Sequence, residues 1–314
     1  MDRTTYNKPN LVILFKEGDL SSYPFSIPAY KQSYRDFFSI AEKYFSIYIV
    51  RGISKFRGNG LFTSGYRWNG RSFAAYKKNI NARIVYNKGQ LFSSGGKEWA
   101  MINKGGLHTI AIFKDVTHAT FPKIMKRGFR VRNKQDAKRK IKRIRTVQAV
   151  YKPIDGFEGK GIVITDKNLL IAKLRKCDGL LEEFLDTSKG IPGLTQSYHD
   201  VRMTIMDGKL VQTYIRIPKK GSLLANVARG GSLHEFSFQK LPQSARKIIS
   251  TVDKKLRRYG HRVYSIDIGF EGNTPYVIEI NDQPGLPYKK WKQYYRMWHA
   301  SLLTVFRNAA AELS

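Results

Sequence analysis

Two stretches of alternating apolar and polar residues near the C-terminus, VYSIDIGF (263–270) and YVIEINDQPG (276–285), are separated only by the turn-like EGNTP. Side chains alternate faces along a strand, and so short a joint makes the pair an antiparallel hairpin. A hairpin symmetric about Asn273 sets Asp267 opposite Glu279 and Ser265 opposite Asn281. The other face is then Ile266, Ile268, Phe270, Tyr276, Ile278 and Ile280, which reads throughout as a core face. Directly opposed side chains have Cβ atoms about 5 Å apart, and like charges there are destabilising. Two carboxylates and an amide oxygen on one otherwise uncharged face make sense if a hard cation neutralises them. Magnesium takes oxygen ligands, commonly one or two carboxylates plus substrate phosphates. Asp267, Glu279 and Asn281 are therefore read as a magnesium site. The alternative is a partly exposed hairpin whose acidic residues hold no ligand.

The 314 residues leave room for two or three packed modules. A hydrophobic content of 42% with 13% aromatic is globular rather than disordered. Cys177 is the only cysteine, which rules out an intrachain disulfide and a cysteine-built zinc cluster. The opening MDRTTYNKPN lacks the apolar stretch of a signal peptide, and no apolar run approaches the ~20 residues that span a bilayer. The expected location is the cytoplasm. Lys and Arg total 56 against 24 Asp and Glu, a formal net charge of +32. Such a field attracts nucleotides, nucleic acid, acidic peptides or an anionic surface, and composition does not choose among them.

NLVILF (10–15) reads as a buried strand, AYKQSYRDFFSIAEKYF as a helix and SIYIV as a second strand. Strand–helix–strand implies a parallel pair in an α/β module, with NARIVYNKG as a further strand. Residues 1–100 are expected to form this N-terminal domain. Residues 123–145 carry twelve basic residues and only Asp136 as an acid. They form either a solvated helix face or a docking surface for a polyanion such as an acidic peptide or nucleic acid. In the tail, Trp291, Tyr295, Trp298, Leu302 and Phe306 fall on one helical stripe, the pattern of core packing.

A second chemical segment is AVYKPIDGFEGKGIVIT (149–165). An apolar strand delivers Lys152, a loop carries Gly156, Gly159 and Gly161, and a second strand follows. Glycines let backbone amides approach phosphate oxygens, and a lysine adds a point charge. The spacing matches neither G-x-x-x-x-G-K-[ST] nor a G-x-G-x-x-G helix opening. It describes a flap closing over a nucleotide.

Lys152 with its glycines, GLLEEFLD (179–186), DVR (200–202), IRIPKKGSLLANVARGG (215–231), SIDIG and VIEINDQPG occur in that order. Together they resemble the ATP-grasp superfamily over roughly residues 100–290, nearest the glutathione synthetase and RimK-type glutamate ligase branch and the spore-coat-associated YheC/YheD proteins. The resemblance implies an α/β (α+β) ATP-grasp fold: a preceding α/β domain over 1–100, a central subdomain over 101–185, and a C-terminal subdomain over 186–314 with the magnesium site. It implies ATP and Mg2+ as cofactors. Lys152, and Lys114 as a second lysine upstream, would contact phosphate, with Gly156, Gly159 and Gly161 covering it. Glu182, Glu183, Phe184 and Leu185 would form the linker whose backbone binds the adenine edge, and Asp200 would be the ribose-binding acid. Arg202 and Arg216 would hold the substrate carboxylate or the transferred phosphoryl group. Asn226 would lie near the phosphoryl or acceptor side, and Asp267, Glu279 and Asn281 would ligate magnesium.

Two departures stand out. Leu224 occupies the position of an arginine in the glutamate-ligase pattern, and the segment from Phe184 to Asp200 is longer than in those enzymes. His199, beside Asp200, reads as structural. The implied activity is an ATP-dependent carboxylate–amine ligase working through an acylphosphate, on an acidic peptide or a macromolecule-borne substrate. The competing readings are a basic nucleic-acid- or surface-binding protein with this fold and no ligase activity, and a coat-like structural role.

Overall fold

In the computed structural model the described residues are 8–154, 156, 159–175, 177–223 and 230–313. They fall into two units. The first gathers the described residues up to His108, Leu256–Val263 and the residues from Asp282 onward. The second comprises Thr109–Lys255 and Tyr264–Asn281.

The first unit begins with β1 (Asn10–Phe15), α1 (Pro28–Ala41) and β2 (Ser46–Arg51). Then come β3 (Leu61–Phe62), β4 (Gly65–Trp68), β5 (Phe73–Tyr76), β6 (Ile80–Asn81), β7 (Ile84–Lys88) and β8 (Ala100–Ile102). Its six-stranded sheet has the order β5-β4-β2-β1-β7-β8. β1 pairs in parallel with β2 and β7, as the strand–helix–strand pattern predicts. Leu11 to Phe15 are all buried, as expected of a central parallel strand with both faces covered. α1 buries Tyr34, Phe37, Phe38 and Ala41 at helical spacing, and Pro28 suits its first turn, where no amide donor is needed.

α2 (Gly105–Ile112) is followed in the second unit by α3 (Lys114–Thr120), β9 (Gly128–Val131), α4 (Lys134–Ile141), β10 (Gln148–Pro153), β11 (Val163–Asp166), α5 (Lys167–Lys173) and β12 (Gly179–Glu183). β11-β10-β12-β9 form an antiparallel sheet. Ala137, Leu170 and Ile171 of α4 and α5 pack in one core with Val131, Ala149, Tyr151 and Leu181 of its strands. β10 and β11 are the strands on either side of the glycine loop, paired as the flap pattern predicts. Residues 200–281 supply β13 (Asp200–Met206), β14 (Lys209–Ile217), β15 (Ser232–Glu235), α6 (Gln243–Leu256), β16 (Val263–Glu271) and β17 (Thr274–Asn281). The strands form a sheet in the order β15-β14-β13-β16-β17.

The β16–β17 hairpin pairs Asp267 with Glu279 and Ser265 with Asn281, the predicted register. Between Asp267 and Ile268 the register shifts, so that Ile268 faces Val277 and Ile278 is an extra residue on β17. This bulge corrects the expected core face. Val277 is the buried residue of β17 there, at 3% exposure, while Tyr276 and Ile278 are half-buried. An inserted residue displaces the alternation of everything between it and the turn.

α7 (Lys292–Ala311) closes the chain and contacts β7 and β8 of the first unit. Residues 282–313, which the contiguous division assigns to the C-terminal module, thus pack with the N-terminal sheet. Trp291, Tyr295, Trp298, Leu302 and Phe306 are all buried, as their spacing predicts. Among the described residues no helix is long and apolar enough to cross a membrane. Trp298 has no exposed surface, so Trp298→Ala should cost about 3–5 kcal/mol in urea unfolding. A loss under ~1 kcal/mol would show that α7 is peripheral to the fold.

Candidate active site

β13 places Asp200 and Arg202 two residues apart and hence on one face. Arg216, on β14, stands directly opposite Asp200, and Asp267 lies on β16, the strand on the other side of β13. The four side chains form one buried network. Arg202 donates from Nε to Asp267 Oδ1 and from Nη2 to Oδ2, both at 2.6 Å. Arg216 donates from Nε to Asp200 Oδ1 at 2.5 Å and from Nη2 to Asp200 Oδ2 at 2.8 Å. Arg216 Nη2 also reaches Asp267 Oδ2 at 2.6 Å. Burial raises the pKa of Asp267, but the two guanidiniums overcome it and hold the group at about 2. Asp200 is pushed the other way: burial, opposed by Arg216 and reinforced by the Asp267 charge, brings it up to about 7.

A second cluster surrounds a cavity of about 40 Å³ lined by Lys114, Lys152, Gly156, Gly159, Ile278 and Glu279, among others. Lys114, in the first turn of α3, forms an ion pair with Glu279. Lys152 on β10 pairs with Glu182 on β12 at 2.5 Å and donates to the Ile278 carbonyl at 3.3 Å. That carbonyl belongs to the bulge residue of β17. Such a volume holds a water or so, much less than a nucleotide. Gly161 has φ +74, and a Cβ there would lie 2.7 Å from Pro153. Only glycine makes that turn without strain.

Of the expected linker, the Glu182 side chain is buried against Lys152. Glu183 accepts from the Arg145 amide, and its own amide donates to the Arg127 carbonyl. The Phe184 amide donates to Thr146 Oγ1. Leu185 lies so near Gly269 that a Cβ on the glycine would come within 2.8 Å of it. Asn281 is half-buried opposite Ser265. Asn226 and Leu224 lie outside the described residues. His199 is buried at 3% exposure, and its Nε2 accepts from the Phe270 amide at 3.3 Å. Burial lowers its pKa, which is the behaviour of a structural histidine.

Among the described residues no three His, Cys, Asp or Glu side chains converge as a metal cluster. Asp267, Glu279 and Asn281 offer oxygen donors only, a type that fits magnesium, with Asp267 and Glu279 directly paired across the hairpin. Both carboxylates hold cationic side chains. Sequence reasoning brought Lys152 and the glycine loop together but missed the Lys152–Glu182 pair and the Arg202–Asp267–Arg216–Asp200 network. A strand pattern shows which residues share a face, and only sheet order shows which faces meet.

Residues 114–282 match the family described as prokaryotic glutathione synthetase, ATP-grasp domain. A probable alpha-L-glutamate ligase of Legionella pneumophila (strain Corby) is 29% identical over 143 residues, 44% of this chain and 43% of the relative. Another, from Pseudoalteromonas atlantica, is 28% identical over 152 residues, 46% of each protein. These matches thus span less than half the length of either relative. In fold, the chain is similar to D-alanyl-alanine synthetase A from Vibrio cholerae, with a TM-score of 0.64 and 11% identity over 97% of this chain and 99% of that one. It is also similar to the ATP-grasp ligase PsnB, solved with a precursor variant, Mg and ADP, with a TM-score of 0.59 and 14% identity over 96% of this chain and 99% of that one. The ATP-grasp resemblance read from the six segments thus holds. With more than half of its residues matched, the chain belongs to the ATP-grasp family of the prokaryotic glutathione synthetases.

Proposed function

We propose that the protein is an ATP-dependent carboxylate–amine ligase of the cytoplasm. The observation that carries this reading is the gathering of Lys114, Lys152, Arg202 and Arg216 around carboxylates in one unit. Four cations matched to anions at a buried site can exchange those partners for phosphate or substrate carboxylate. The solved relatives PsnB, with Mg and ADP, and D-alanine–D-alanine ligase of Bacillus anthracis, with ATP, support the choice of nucleotide and metal.

In this reading Lys114 and Lys152 bind the phosphates, Gly156, Gly159 and Gly161 let the loop backbone approach them, and residues 182–185 take the base. Magnesium, when bound by Asp267, Glu279 and Asn281, supplies charge neutralisation at the phosphates. The substrate carboxylate attacks the terminal phosphorus and ADP leaves. Arg202 and Arg216 stabilise the negative charge that develops. An amine then attacks the acyl carbon, phosphate departs with one carboxylate oxygen, and the amine loses a proton to give the amide. By the resemblance, Asn226 would serve the phosphoryl or the acceptor side. Leu224 in place of the glutamate-ligase arginine leaves the acid defined by class alone.

ADP release should depend on both an acid and an amine when a panel of amino acids, peptides and polyanions is supplied. With an 18O-labelled acid, one label should appear in the released phosphate. Turnover without label transfer would exclude the acylphosphate route. Glu279→Gln keeps shape and removes one charge, so magnesium-dependent turnover should fall ~10²-fold or more with the melting temperature retained. Parent-like turnover would remove Glu279 from the metal site.

We also propose that residues 123–145 dock a polyanion. Nine of the twelve basic residues are exposed, and the single acid, Asp136, is held by Arg139 and Lys140 at 2.7 Å each. Lys140 also donates to the Arg130 carbonyl at 2.6 Å, so it belongs to the local fold. Replacing the exposed Lys134, Lys138, Lys142 and Arg145 with Gln should weaken binding to duplex DNA or poly-glutamate. Its salt slope on DNA should flatten by ~0.9 for each phosphate that the variant no longer neutralises, while ATP affinity stays within ~2-fold of the parent. Parental affinity for both would make the run a solvated face, and equal weakening of both would assign it to the nucleotide pocket.

A further inference from the structure

In the first unit, β1, β2 and β7 end level with one another. Phe15, Arg51 and Lys88 are their last residues, and Phe15 is the register partner of both cations. Residues in register across a sheet share a face, so one face at the carboxyl edge carries a guanidinium and an amine on either side of an aromatic ring. In open α/β sheets, ligands bind outside the carboxyl ends of the strands, where the strand order reverses. Here that point is β1: α1 leads from it to β2, and β7 lies on its other side.

Both cations are buried, Arg51 at 3% exposure and Lys88 at 7%, and among the described residues neither forms an ion pair. Arg51 donates from Nη1 to the Tyr23 carbonyl at 2.9 Å, with its centre 5.5 Å from the Phe15 ring centroid. Its buried Nε has no partner. Lys88 donates to the Pro284 carbonyl at 3.0 Å and stands 5.2 Å from the centroid of Tyr86, whose buried hydroxyl also lacks a partner. A guanidinium has five donors and an ammonium three, so each keeps donors beyond these. Burial brings the Lys88 amine down to about 7 and lowers Arg51 as well. Asp19 and Glu17 offset the burial of Arg51 only in part, and their own oxygens accept from serines: Ser21 and Ser22 on Asp19, Ser54 on Glu17.

A buried charge without an opposite one is costly, and backbone carbonyls and rings supply no anion. The chain after β1 also leaves the guanidinium uncrowded. Gly18 has φ +132, and a Cβ there would lie 2.6 Å from Arg51 Nη2. The planar edge of a guanidinium matches the two oxygens of a carboxylate, and the surroundings are aromatic, with the Tyr34 ring 5.7 Å from that of Phe15. A single negative charge suits this setting better than a phosphate dianion, whose second charge would enter an apolar wall.

We propose that Arg51 and Lys88 form a binding site for the carboxylate of a small organic acid at the carboxyl edge of the first sheet. The site is built wholly from first-unit residues and does not rest on the ligase reading. Benzoate, titrated without nucleotide and at constant ionic strength against chloride, should raise the melting temperature saturably. The variant with Lys134, Lys138, Lys142 and Arg145 replaced by Gln should respond like the parent, and loss of its response would trace the effect to the basic surface and overturn the proposal.

Arg51→Gln should raise the benzoate concentration at half-saturation ~10-fold or more, the worth of a hydrogen bond to a charged group. Lys88→Met should do the same while leaving the melting temperature without benzoate unchanged or higher, because it removes a buried cation that has no acid. A lysine that served only to tie Pro284 would instead lower that temperature and leave the benzoate response intact, which would overturn the proposal. A rise that does not saturate, or half-saturation within ~2-fold of the parent in both variants, would overturn it too. Tighter binding of phosphate than of benzoate would overturn the assignment to a carboxylate. A variant that fails to melt cooperatively is replaced by Arg51→Lys, which keeps the charge and loses the fork, or by Lys88→Gln, with the same weakening expected.

Discussion

Buried charge in the candidate site of the second unit is matched group for group. A guanidinium or carboxylate withdrawn from water is costly unless a partner of opposite sign and good geometry replaces the lost hydration. Arg202 and Arg216 meet that requirement on Asp267 and Asp200, and Lys114 and Lys152 meet it on Glu279 and Glu182. Each pair spans two strands, or a helix and a strand, so the ionic partners also fix how those elements sit in the second unit. In the proposed ligase reading the same groups engage an anionic ligand, whose oxygens would take the place of the protein carboxylates.

Backbone irregularity does part of the arranging. The bulge on β17 leaves Ile278 without a cross-strand partner and turns its carbonyl toward Lys152. The same insertion lets Val277 take up the core position and form a β-bridge with Met125. A regular hairpin would have sent Ile278 into the core. One added residue thus converts a core position into part of the cavity wall, a common use of bulges beside functional sites.

The excess of positive charge is distributed unevenly. Many acids are consumed in local pairs: Asp136 by Arg139 and Lys140, Glu271 by Lys126, Asp115 by Arg130. What remains on the surface of residues 123–145 is a basic face without balancing carboxylates of its own. Its aromatic residue, Phe129, lies beneath the guanidiniums of Arg127 and Arg143, whose centres are 5.2 and 4.2 Å from the ring centroid. With that ring covered, the face offers charge and not a stacking platform.

The sequence by itself determined the pieces. Period-two alternation put Asp267 and Glu279 on one face, because strand geometry leaves only two, and a turn centred on Asn273 set them opposite each other. Helical spacing set the buried stripe from Trp291 to Phe306, and the order of six short segments identified the ATP-grasp family. Tertiary structure decided which pieces meet. The order β14-β13-β16 is what puts Arg216, Asp200, Arg202 and Asp267 in one network, and no local pattern carries strand order. It also placed α7 with the first sheet, although it follows the second unit's last strand in sequence. The bulge at Ile278 was hidden for a related reason: Tyr276, Val277 and Ile278 are all apolar, so the sequence does not say which of them faces the core, and only pairing with Asp267 and Ile268 shows the extra residue. Local periodicity is written in one segment at a time, while partner choice depends on the free energy of the whole fold.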